Sequence, residues 1–109
     1  MTTLKHARSF ALALPEVTEE DHHGMASFRI RGRILATVPD EAHVRIMVDE
    51  HQIRAAVAEH PEACAEVYWG KRLSCVVVEL SRASARLVDD LLTDAWERKA
   101  PARLARRQG

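Results

Sequence analysis

Two short segments set paired cations beside a glycine: Arg31-Gly32-Arg33 and Gly70-Lys71-Arg72. Glycine between alternating apolar runs signals a hairpin turn. A narrow turn that carries cations can straddle phosphates or reach into a minor groove, because such contacts need only positive charge on a protrusion. The same charges also suit a solvated turn, where they discourage edge-to-edge association. Arg29, Arg31, His43 and Arg45 share one parity along their segments, so pairing those segments makes one sheet face basic. Tyr68 and Trp69 could add a stacking surface for a base or another planar ligand. The competing reading puts the aromatics in the core and pairs the arginines with Glu66 and Glu79.

Other chemistry is sparse. Glu19-Glu20-Asp21-His22-His23 offers carboxylates and imidazoles, which are ligands for divalent metals. Its spacing matches no defined metal site, and a solvated loop accounts for it better. Cys64 and Cys75 lack the Cys-x-x-Cys spacing that lowers a thiol pKa, so they read as buried free thiols in a reducing compartment. No Gly-x-Ser-x-Gly nucleophile motif occurs. Nor can a phosphate-cradling loop be assembled from four glycines this far apart. These observations point to a non-enzymatic chain without a cofactor or a resident metal.

Sixteen basic and sixteen acidic residues cancel in 109 residues, which excludes a uniformly basic nucleic-acid-binding protein. The cancellation is uneven. Residues 98–109 hold Arg98, Lys99, Arg103, Arg106 and Arg107 and no acid, a charge of +5, so residues 1–97 carry −5. A basic tail of this kind can hold an anionic polymer with strong salt dependence, or it can simply solubilise a helix end. Arginine outnumbers lysine thirteen to three, which reads as a GC-rich bacterial genome. No apolar run is long enough for a membrane span, and no signal peptide is evident, so a cytoplasmic location is expected.

The elements that would position these residues follow from periodicity. Leu4, Ala7, Phe10, Ala11 and Leu14 are helically spaced up to Pro15. Residues 16–24 are polar and read as a loop. Strands are expected at 26–31, 34–38 and 43–48, with a turn at Pro39-Asp40-Glu41. Asp49 should cap a helix bearing Ile53, Ala56, Val57 and His60 on one face. Two further strands, 64–69 and 73–80, flank the second cationic turn. The latter is apolar on both faces, as an interior strand would be. Ser81 can cap a last helix with the stripe Ser84, Leu87, Val88, Leu91, Leu92, Ala95 and Trp96. The order α-β-β-β-α-β-β-α predicts a single α+β domain over residues 1–109. About five antiparallel strands would carry helices on one face.

The ordered set Phe10-Ala-Leu-Ala-Leu-Pro15, His23-Gly24, Ser27-Phe28-Arg29-Ile30-Arg31-Gly32-Arg33-Ile34, Val76-Val-Val-Glu-Leu80, Asp94-Ala95-Trp96 and Lys99-Ala100-Pro101 resembles the MmcQ/YjbR-like family. Relatives often carry a Trp at the start of the late strand, where this chain has Leu73-Ser74-Cys75. The resemblance implies a CyaY-like (frataxin-like) α+β fold. It also implies DNA binding through two β-hairpin wings, a "double wing". On this reading the nucleic-acid contacts come from Arg29, Arg31, Arg33, Arg45, Lys71, Arg72, Arg103, Arg106 and Arg107, with Tyr68 and Trp69 for stacking. The alternatives are a small-molecule or protein-binding domain that uses the open sheet face, and metal binding through the acidic His-bearing segment.

Overall fold

A computed structural model describes residues 1–104. Thr3 starts the first helix, α1 (Leu4–Ala13), by accepting from the backbone N–H of His6 at 3.2 Å. Ala7 and Ala11 are its buried face, and Leu14, an extended residue ahead of Pro15, ends it. Four strands follow: β1 (Val17–His22), β2 (Met25–Ile30), β3 (Arg33–Asp40) and β4 (His43–Ile46). Next come α2 (Glu50–Glu59), β5 (Cys64–Trp69), β6 (Arg72–Glu79), a 3-10 turn at Leu80–Arg82 and α3 (Ala85–Lys99). The six strands form one antiparallel sheet in the order β1-β2-β3-β4-β6-β5.

This is the expected α+β class with one strand more. Residues 16–24 are not a loop, because Val17–His22 pairs in full register with Met25–Ile30. That strand lies at the sheet edge, where Thr18–Asp21 are exposed, so the alternating apolar signal is missing. Its carboxylates also oppose pairing with another chain's edge. The hairpin behind it closes through His23 (φ 53°) and Gly24 (φ 87°), and the next through Arg31 (φ 49°) and Gly32 (φ 82°). Two consecutive positive φ values mark the turn whose twist matches that of paired strands. The turn expected at Pro39-Asp40-Glu41 falls at Glu41-Ala42 instead. Pro39 is tolerated in β3 because the β3–β4 register shifts between Thr37 and Asp40.

β6 is interior, between β4 and β5, as its two apolar faces required. The helices pack together with the buried side of the sheet: α3 over β3 and β4, α2 over β5 and β6, and α1 against α3 and β1. Phe28, Ile30, Val44, Ile46, Val76 and Val78 supply the sheet side of this core. Val88, Leu92, Ala95 and Trp96 meet them from α3. Ser81 does not cap α3. Leu80 and Ala83 must be buried, so the chain makes a 3-10 turn first, and Ser84 caps by accepting from Leu87 N–H at 3.0 Å.

Asp49 and Gln52 form a reciprocal capping box at the start of α2, with bonds of 2.8 and 3.1 Å. Asp49→Ala removes one half of it. The expected loss is about 1 kcal/mol of stability, read as a lower urea midpoint at unchanged m-value.

Candidate nucleic-acid interface

Strand direction decides where the two cationic turns sit. β3 is antiparallel to β4, and β4 is antiparallel to β6, so β3 and β6 run the same way. Their first residues, Arg33 and Arg72, therefore lie at the same end of the sheet. They are two strand spacings apart, about 10 Å. The C-terminus of α3 reaches this end as well. Arg33 Nη1 donates to the Lys99 carbonyl at 3.0 Å, and Arg98 Nη1 donates to the Met47 carbonyl at 3.1 Å. The opposite end carries Asp21, Asp40, Glu41, Glu62 and Glu79. The neutral total is thus a separation of charge along the strands.

Ion pairing sharpens the contrast. Arg8 pairs with Glu19, Arg31 with Glu16, Arg54 with Glu50 and Glu66, Arg82 with Glu79 and Arg86 with Asp90. Arg33, Lys71, Arg72, Arg98 and Lys99 have no carboxylate within salt-bridge distance among the described residues. Burial, and then the repulsion of Arg98, Arg33 and Arg72, holds the Lys99 ammonium below its usual pKa. Folding thus disfavours the protonated form, and stability rises as pH climbs through the lowered value toward 10.5. Lys99→Gln should flatten that alkaline rise and raise the melting temperature slightly. These groups face water, so the gain stays within about 1 kcal/mol. The same variant should bind polyanions less tightly.

A polar cleft of about 330 Å³ opens at this end between the β5–β6 turn, the start of α2 and the end of α3. Glu50, Arg54, Tyr68, Lys71, Arg72, Ser74 and Arg98 line it, with Glu50 paired to Arg54. Arg54 and Ser74 are additions to the residues picked out in the sequence. The +5 charge beyond residue 97 was the signal for Arg98 and Lys99. Nothing in the sequence marked Arg54, whose helix start is brought to the turn only by the β4–β6 pairing.

Of the expected contact residues, Arg31, Arg33, Lys71 and Arg72 gather here. Arg103 lines a neighbouring depression with Glu16 and Arg31. Arg31 is partly neutralised, since Glu16 accepts from its Nε at 2.9 Å and its Nη2 at 3.2 Å. Arg29 and Arg45 point from the helix-free face. Arg29 donates to Ser27 Oγ at 3.0 Å and lies 3.2 Å from His22 Nδ1, while Arg45 Nε is buried with no hydrogen-bond partner. Glu66 and Glu79 bind Arg54 and Arg82, so they are not partners of Arg29, Arg31 or Arg45. Arg106 and Arg107 lie outside the described residues.

Tyr68 and Trp69 do not share a face. Tyr68 belongs to the cleft on the helix side, and its hydroxyl donates to Glu66 Oε1 at 3.2 Å. Trp69, the next residue of β5, lies on the other side of the strand and is 57% exposed, so neither aromatic fills the core.

The acidic His-bearing segment is a strand, so its successive side chains alternate between faces. No group of three potential metal ligands gathers among the described residues. The two thiols are buried. Burial, with Glu62 nearby, pushes Cys64 up to about 11, and burial also raises Cys75, which leaves both inert as thiols near neutral pH. No described helix is long and apolar enough to cross a membrane.

Fold and site together define a small α+β domain with an antiparallel sheet, helices on one face and hairpin tips at a basic end. The YjbR family model matches residues 12–98, and the chain belongs to that family. It is similar in fold to the crystal structure of Deinococcus radiodurans protein DR2400, a DUF419 domain. The two share 21% identity and a TM-score of 0.78, over 99% of this chain and 88% of that one. No curated protein matches it in sequence.

Proposed function

We propose that this chain is a non-enzymatic binding module that holds DNA at its basic end, in a reducing cytoplasm that suits its two buried thiols. One observation carries the reading. Five cations from three separate segments converge at this end with no carboxylate within salt-bridge distance of them among the described residues, whereas Arg8, Arg54, Arg82 and Arg86 elsewhere are each paired. Gathering like charges costs stability, and a polyanion that spans them relieves the cost. Arg33 and Arg72 stand on separate hairpins, so the footprint spans both wings. The charge is local, which reconciles binding with a net charge of zero.

Fluorescence anisotropy with duplex and single-stranded DNA tests the proposal. Binding should be readily measured at low salt and weaken steeply at physiological salt. Absence of binding at low salt, where counterion release favours association most, would overturn it.

A further inference from the structure

We infer that the cleft beside Tyr68 receives a terminal phosphate monoester of a nucleotide unit, with the adjoining base stacked on the Tyr68 ring. This rests on the nucleic-acid reading above and names the part of the ligand that the cleft selects. A volume of about 330 Å³ lies at the small end of ligand sites, enough for one nucleotide unit and too small for a base pair.

The charge fits a monoester better than an internal diester. An internal phosphate carries one negative charge, whereas a monoester carries about 1.5 to 2 at neutral pH. Lys71, Arg72 and Arg98 converge on the cleft without carboxylate partners among the described residues. Arg98 is anchored by the Met47 carbonyl through Nη1, which leaves the rest of its N–H fork for phosphate oxygens. The Ser74 hydroxyl, now donating to the Arg72 carbonyl at 3.2 Å, stands in the same wall. Glu50 would repel a phosphate, but its Oε1 accepts from Arg54 at 3.0 and 3.3 Å, which compensates it. The capping box engages the Asp49 and Gln52 N–H groups of the α2 terminus, so the contacts argued here are those of side chains.

Tyr68 is suited to the stacking role. The residue is 48% exposed, and its hydroxyl is tethered to Glu66, which is itself 3.5 Å from Arg54. A tethered ring loses little freedom when a base settles on it.

The test compares short oligothymidylates carrying a 5′-phosphate, a 3′-phosphate or neither, labelled away from the phosphorylated end. One phosphorylated form should bind about tenfold tighter than the unphosphorylated strand at about 0.1 M salt. Arg98→Gln should abolish that preference. Tyr68→Ala changes a half-exposed residue and should leave the melting temperature unchanged. It should weaken the phosphorylated strand about tenfold and change duplex affinity less than twofold. Competition by thymidine monophosphate but not thymidine separates a free nucleotide from a strand end as the source of the same chemistry, and supports the cleft either way. Equal affinity for phosphorylated and unphosphorylated strands, with duplex still bound, would overturn this inference and spare the DNA reading. Nucleotide binding without any strand binding would overturn the DNA reading and leave the cleft standing. No binding by any of them would overturn both.

Discussion

Replacing Lys71, Arg72 and Arg98 together by Gln is expected to weaken DNA binding about 100-fold at low salt while the domain stays folded. The magnitude follows from three charged contacts at about 1 kcal/mol each, discounted for exposure to water. The three side chains make no ion pair among the described residues, and only Arg98 makes a side-chain hydrogen bond, so neutralising them breaks few internal contacts. Removing mutual repulsion from Lys99 should raise the melting temperature slightly. Lower affinity with equal or higher stability is the signature of a binding site, and a merely structural cluster would lose both. Anisotropy and thermal unfolding on the same samples distinguish the two. As a control, Arg8→Gln and Arg82→Gln remove cations already paired with Glu19 and Glu79, and should leave affinity nearly unchanged.

Trp96→Ala is expected to cost about 3–5 kcal/mol, which approaches the whole stability of a small domain. Trp96 is only 1% exposed and lies where α3 meets the sheet. Its indole Nε1 donates at 3.0 Å to the carbonyl of Pro15, tying α3 to the end of α1. Alanine leaves both a cavity and an unsatisfied carbonyl. Trp96→Phe refills most of the cavity but not the hydrogen bond, so an intermediate loss of about 1–3 kcal/mol is expected. Urea unfolding followed by far-UV circular dichroism ranks the three proteins.

Periodicity placed the elements with a buried face, and it failed where burial was absent. The stripe Val88, Leu91, Leu92, Ala95 and Trp96 is buried as its spacing required, and so are Phe28, Ile30, Val44 and Ile46. The edge strand Val17–His22 carried no such signal, since its four central residues are exposed. The start of α3 falls three residues past the expected cap Ser81, because Ser84, expected in the apolar stripe, is exposed and caps the helix instead. Tertiary burial of Leu80 and Ala83 chose between the two serines. Turn positions were legible where glycine sat among charges, and less so at Glu41-Ala42, which contains neither glycine nor proline.

The site was half legible for a different reason. Cations beside glycine marked Arg31, Arg33, Lys71 and Arg72, but face assignments depend on neighbours that only the sheet order supplies. Either Tyr68 or Trp69 could offer a stacking surface from the sequence, and the alternation of β5 sets them on opposite sides, with only Tyr68 at the cleft. Arg29 and Arg45 lie on the helix-free face, as their parity required, and neither lines the cleft. The zero net charge hid a dipolar arrangement, with acids at one end of the strands and unpaired cations at the other.

The most direct test of the basic end as a DNA-binding surface is the salt dependence of affinity. Binding constants for duplex DNA should be measured for the native chain and the triple Gln variant over a range of salt. The plot of log affinity against log salt should be steep for the native chain, and its slope should shrink in magnitude by about 2 to 3 in the variant, since each lost phosphate contact removes about 0.9. An unchanged slope in the variant, or a native affinity indifferent to salt, would contradict the assignment.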